Sequence, residues 1–184
     1  DPKVTIHIDD GRRWLNRNPD RTFDFILMNT TWHWRSQVTN LVSREFLALC
    51  RRHLKPGGVL YYNTTDSNDV AFTGALAFKH LVRFENFVAV SDVPFDMTPQ
   101  ERREGLMKFA MHGRPVFDPK DPKRTATLAK LVAEPLEDKG PALRAREDLW
   151  LVTDDNMATE FRRAERPIAR RDVLVRLWQR LTSR

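Results

Sequence analysis

The chain predicts an α/β fold: a mostly parallel sheet flanked by helices, with a basic helical extension at its end. Three observations carry that expectation. Continuous apolar runs of strand length occur at residues 25–28 and 59–62, amphipathic stretches separate them, and polar residues stand wherever a run stops. Unbroken apolar runs mark parallel strands covered on both faces. Short crossovers between them imply right-handed connections. The polar ends are Asp9-Asp10, Asn29 onward and Asn63-Thr64-Thr65-Asp66. Ligands of open α/β sheets collect beyond the carboxyl ends of strands, so these three ends predict one rim that holds the site.

In chain order, Val4-Thr5-Ile6-His7-Ile8 alternates apolar and polar, the pattern of a strand with one buried face. Asp9-Asp10-Gly11 breaks it, and residues 12–16 form a short helix with Trp14 and Leu15 turned inward. Asn18-Pro19-Asp20 ends that helix. Residues 25–28 form the second strand, and 30–40 a polar loop carrying Trp32 and Trp34. Ser43 is a good N-cap for a helix whose Phe46, Leu47, Cys50 and Leu54 share a face. Lys55-Pro56-Gly57-Gly58 stops it, because glycine takes the left-handed cap and proline cannot continue a helix.

Residues 59–62 are the third strand, 71–81 a helix and 87–90 a fourth strand. Beyond Pro94 the chain becomes more charged and proline-punctuated, with helices expected at 98–111 and 122–132. An amphipathic helix at 172–181 closes it, using Val173, Leu174, Leu177, Trp178 and Leu181. Two regions follow: 1–95, carrying the sheet, and 96–184, a mainly helical extension packed on or beside it.

The 184 residues include one cysteine, Cys50, so internal disulfides and cysteine-based zinc cages are excluded. The five histidines have no pair at helical ligand spacing, so no metal is expected. Cys50 reads as an inert core residue, and a reducing, cytoplasmic compartment suits its solitude. The net charge of +6 is concentrated at the end: residues 162–184 hold eight arginines against Glu165 and Asp172. The remainder balances to zero, which argues against a nucleic-acid-coating surface. The basic helix fits docking onto the domain with its arginines in water, or weak contact with anionic lipid or RNA.

The segment Asp1-Pro2-Lys3-Val4 through Asp10-Gly11-Arg12-Arg13-Trp14-Leu15, the strand Phe23-Asp24-Phe25-Ile26-Leu27-Met28-Asn29, and Ser43-Arg44-Glu45-Phe46 with Leu54-Lys55-Pro56-Gly57-Gly58-Val59-Leu60 together resemble the spermidine synthase family. These are aminopropyltransferases built on the class I methyltransferase fold, a Rossmann-like sheet. The resemblance runs from Asp1 to about Val93. It implies S-adenosylmethionine or decarboxylated S-adenosylmethionine as cofactor and a small-molecule amine as substrate. It further implies that Asp10, Gly11, Asn29 and Thr30 bind the cofactor, with Asp10 accepting a hydrogen bond from the adenine amine. A carboxylate capping the helix at Arg12 is an equally good reading of Asp9 or Asp10, and two carboxylates allow both.

The chain departs from the family where the family carries two aspartates three residues apart; here those positions are Asn29 and Trp32. An alkylammonium, with a pKa near ~10, must lose a proton before its nitrogen attacks, and neither amide nor indole accepts one. Asp66 is the candidate displaced carboxylate. Residues 1–184 also contain no Gly-x-Gly. The family's glycine-rich loop and ribose-gripping acid precede the region matched, so a missing N-terminal half of the same protein is the expected partner, with a homodimer or a membrane tether through that segment as further expectations. In the full fold those strands lie between residues 4–8 and 23–28.

Three functions remain open on the sequence. One is amine transfer from an S-adenosyl-type sulfonium. The second is a non-catalytic nucleoside-binding or regulatory domain. The third is an amino-group methyltransferase in which Asn29-Thr30-Thr31-Trp32 orients a neutral amine. Trp32 and Trp34 line a substrate pocket in the first and third, since an indole face attracts cations, or simply pack over the sheet. Val152-Thr153-Asp154-Asp155-Asn156 resembles a late acidic segment of spermidine synthase-like domains fused to transporters, and equally reads as a turn.

Overall fold

The computed structural model describes residues 2–29, 38–64 and 66–156. They divide into two compact units: the residues up to Val93 together with those from Lys139, and Pro94–Asp138. The sequence predicts a boundary at 95, with one extension beyond it.

The first unit opens on α1 (Gly11–Arg17), capped by the Asp10 side chain, which accepts from the Arg13 N–H at 2.8 Å. β1 (Phe23–Met28) follows, then a 3-10 turn at Val38–Leu41. α2 (Arg44–Arg52) starts at Ser43, whose hydroxyl accepts from the Phe46 N–H. It buries Phe46, Leu47, Leu49 and Cys50.

β2 (Leu54–Asn63) begins one residue after the helix cap, so the Lys-Pro-Gly-Gly turn lies inside the strand rather than between helix and strand. Opposite Phe23 stands Leu54, but opposite Phe25 stands Val59, and the extra residues bulge out. Gly57 takes φ +75°, and a Cβ on Gly58 would lie 3.0 Å from the Lys55 carbonyl oxygen and 3.1 Å from that of Phe23. The glycines are there for the bulge.

α3 (Asn68–Ala77) ends four residues earlier than the sequence predicts. Phe78 turns extended and buried, and residues 80–84 form a strand, β3 (His80–Phe84), where the sequence predicts helix as far as residue 81. Leu81 pairs with Val90 and Val82 with Ala89 of β4 (Phe87–Ser91), across a tight turn with Glu85 at φ 50°. The hairpin partner, absent from a local pattern of apolar residues, decides the matter.

The sheet order is β1-β2-β4-β3. β1 and β2 run parallel, while β4 is antiparallel to both neighbours, so the sheet is mixed. Leu60, Tyr62, Leu81, Val88 and Val90 join Phe46, Leu47, Val70 and Ala71 in one core. Tyr62 reaches the backbone of α3 so closely that a Cβ on Gly74 would fall 2.0 Å from its hydroxyl. Residues 61 and 63 alternate to the opposite face. There Tyr61 stacks on Phe87 at 5.0 Å and lies 6.3 Å from Phe25.

The strand expected at residues 4–8 does not form a ladder. Val4, Ile6 and Ile8 are 61%, 83% and 101% exposed. The alternation is present, but no strand among the described residues lies alongside to bury its apolar side. β1, an edge strand, is paired on one side by β2 and leaves Phe25 and Leu27 more than half exposed.

The second unit contains α4 (Pro99–Met107), a two-residue hairpin of β5 (Ala110–Met111) and β6 (Arg114–Pro115), and α5 (Pro122–Ala133). A reciprocal capping box between Thr98 and Glu101 starts α4. The helix expected to reach residue 111 stops at Met107, because His112 (φ 51°) and Gly113 (φ 75°) turn the chain back on itself. From Lys139 the chain rejoins the first unit. The Lys139 N–H donates to the Leu81 carbonyl and the Arg144 guanidinium to the Ala75 carbonyl, both at 2.7 Å.

No helix among the described residues is long and apolar enough to cross a membrane. The basic helix expected at 172–181 lies outside the described residues.

Candidate functional site

The parallel register sets Met28 against Tyr62, which brings the carboxyl ends of β1 and β2 side by side. Asn29 and Asn63 therefore neighbour each other, and the Asn63 amide N–H lies 3.5 Å from the Asn29 side-chain oxygen. Asn63 is only 7% exposed, whereas Asn29 is open. Thr64 is fully buried; its hydroxyl and its N–H both donate to the Asn86 carbonyl, at 2.9 and 2.7 Å. Strand β2 is thus pinned at its end. Asp66 is exposed with left-handed backbone, φ 60°. Thr30, Trp32 and Trp34, the other residues expected here, lie outside the described residues.

At the start of α1 two carboxylates have separate tasks. Asp10 caps the helix through Oδ1. Asp9 receives the Asp10 N–H at 2.8 Å and pairs with Arg13, whose Nε is 2.6 Å away, and more distantly with Arg17. The Arg13 hydrogen bonds hold the Asp9 carboxyl below the usual carboxylate range. The capping role is therefore filled, and Asp10 keeps Oδ2 for another donor.

A crevice of about 590 Å³ joins this turn to β1. Asp9, Asp10 and Gly11 line one side, Trp14 and Phe46 the apolar wall, and the length of β1 through Met28 the other side. Asn29, the next residue, does not line it. A Cβ on Gly11 would meet nothing within 4 Å, so the turn stands open to the crevice. Cys50 also lines it, and burial pushes its thiol up to about 12, which keeps it protonated and inert at neutral pH.

The crevice suits a flat, mostly apolar group with a polar edge. Its walls are aromatic and aliphatic, and the carboxylates of Asp9 and Asp10, acceptor-only groups, are among its lining.

Two residues beyond those expected pair beside the acidic turn. Arg12 forks onto Asp154, with one N–H···O distance of 2.9 Å, and donates to the Asn40 carbonyl at 3.0 Å. Asp154 is held below its ordinary pKa, first by Arg12 and then by the Ser43 hydroxyl. An arginine in the first turn of a helix opposes the helix dipole. That mismatch was the available sign that Arg12 has an acidic partner; nothing local pointed 142 residues away.

The spermine/spermidine synthase domain family matches residues 1–113. A polyamine aminopropyltransferase of Nitrosomonas europaea is 40% identical over 60 residues, covering 33% of this chain and 18% of that protein. One from Prochlorococcus marinus is 29% identical over 100 residues, covering 54% of this chain and 34% of that protein. A tRNA (guanine-N(7)-)-methyltransferase of Geobacter metallireducens is 26% identical over 120 residues, covering 63% and 56%. The chain spans at most 34% of the length of these two aminopropyltransferases.

Proposed function

This chain belongs to the spermine/spermidine synthase family, and from that premise we propose that it is part of a transferase domain binding an S-adenosyl-type nucleoside. Asp10 accepts the adenine amine, Gly11 gives the ring room, and Asn29, one residue beyond the crevice lining, stands toward the junction between donor and acceptor. The observation that carries this reading is the crevice connecting the Asp9-Asp10-Gly11 turn to the carboxyl end of β1. The bound sulfonium supplies an electrophilic carbon, to be transferred as aminopropyl or methyl to a nitrogen.

What this chain's residues do for the acceptor is limited by Asn29. An amide orients a nitrogen by hydrogen bonding but takes no proton from an ammonium. The acceptor nitrogen therefore arrives unprotonated, or Asp66 takes its proton. A neutral acceptor nitrogen suits the kind of substrate for which the methyltransferase relative is named, a guanine ring nitrogen. Binding without turnover is the second reading, favoured by the Asn29–Asn63 amide pair where a carboxylate would stand.

Calorimetry with methylthioadenosine on the full-length protein tests the assignment. Asp10→Ala is expected to weaken binding about tenfold, the value of one charge-assisted hydrogen bond. Equal affinities would remove Asp10 from the site. Aminopropyl transfer to putrescine by the unaltered protein would exclude binding without turnover.

A further inference from the structure

We propose that Asp154 is a positioning residue for nucleoside binding: docked on Arg12, it keeps the two chain segments beside the crevice in register. The inference rests on the reading of the crevice given above. Arg12 is the second residue of α1, two positions after Asp10. Its guanidinium also donates to the carbonyl of Asn40, within the 3-10 turn between β1 and α2. One side chain thus ties the acidic turn to the 3-10 turn that precedes α2.

Alone, a guanidinium at the start of a helix is unfavourably placed and free to change rotamer. Asp154 removes both problems by taking its fork. The pair is about a quarter exposed on the arginine side and 30% on the aspartate side, so it is screened less than an open ion pair.

Asp154 is itself fixed from several directions. The Ser43 hydroxyl donates to its Oδ1 at 2.5 Å while accepting from the Phe46 N–H, and the Asp154 N–H donates to Glu45 at 3.1 Å. The turn that carries it is closed by the Thr153 and Asn156 side chains, at 3.1 and 3.3 Å. Behind it Val152 is fully buried; its N–H donates to the Thr73 hydroxyl and its carbonyl accepts from the Arg44 N–H. The late acidic segment therefore docks on α2 and α3 and presents one carboxylate to Arg12. Walls held in place before the ligand arrives cost less to order on binding, and the saving appears as affinity.

The test is methylthioadenosine calorimetry on the full-length protein with Asp10→Ala, Asp154→Asn, Asp154→Glu, Arg12→Met and the Arg12→Met/Asp154→Asn double variant. Val82→Ala, in β3, serves as a control destabilised elsewhere. Asp154→Asn and Arg12→Met are each expected to weaken binding about tenfold, and the double variant no further than either, the non-additivity of residues acting as one unit. Asp154→Glu, keeping the charge, restores most of the affinity, and Val82→Ala lowers Tm with Kd unchanged. Asp154→Asn binding like the unaltered protein, while Asp10→Ala is weakened, overturns the positioning role and leaves the crevice reading intact. So does a double variant whose losses multiply, or a glutamate variant as weak as the asparagine one. Unchanged affinity in Asp10→Ala, or no binding at all, overturns the crevice reading and this inference with it.

Discussion

Strand β4 and the segment 4–8 are both short and rich in β-branched residues, yet they end in opposite situations. Val88 and Val90 of β4 are fully buried between β2 and β3, whereas Val4, Ile6 and Ile8 stand in the open. The difference lies in what runs alongside. A strand's N–H and carbonyl groups need partners, and strand preference is largely a measure of fit to neighbours. Where the sheet offers two neighbours the apolar pattern becomes core. Where it offers none, the same pattern is only a shape waiting for one.

The largest expected contrast comes from removing side chains at both places. Leu60→Ala, in the buried centre of the sheet, is expected to cost about 2–5 kcal/mol. Ile6→Ala should stay within ~0.5 kcal/mol, as for exposed positions generally. Denaturant midpoints measure both; equal losses would mean that residues 4–8 are packed in solution. Gly74→Ala sharpens the comparison at the centre, since its Cβ would collide with the Tyr62 hydroxyl. A loss of about 1–3 kcal/mol is expected from the overpacking, and Tyr62→Phe in the same background should recover part of it.

The smallest effect concerns acid. The folded-state pKa of Asp154 is depressed, chiefly by Arg12. Its stabilisation is therefore present above the unfolded carboxylate pKa and is lost as pH falls below it, toward the folded value. Asp154→Asn should shrink the difference between stability at neutral pH and at low pH, visible as a flatter dependence of Tm on pH in that range. A variant with the same acid dependence as the unaltered protein would contradict the Arg12–Asp154 pair.

Much of this was legible in the sequence because its causes were local. Ser43 three residues before Phe46 is a cap, and Asp10 before Arg13 is another; both do what short-range chemistry demands. The runs at 25–28 and 59–62 lie within strands because short unbroken apolar stretches bounded by polar or turn residues favour a strand. What escaped depended on distant partners. β3 follows a buried, extended Phe78 and exists because β4 folds back on it. The Lys-Pro-Gly-Gly turn becomes a bulge because Phe23 and Leu54 pair before it. Within the site, Asp10 and Gly11 line the crevice and Asn29 does not, while the contact between Arg12 and Asp154 spans most of the described chain, and no local spacing encodes it.

The acidic turn and the carboxyl half of β1 bound one crevice, the proposed nucleoside site. Amide hydrogen exchange on the full-length protein with saturating methylthioadenosine tests it most directly. Slower exchange is expected together in residues 11–15 and 26–28, with Val88 and Val90 unchanged. Ligand-induced protection confined to one of those two stretches, or absent from both, would contradict it.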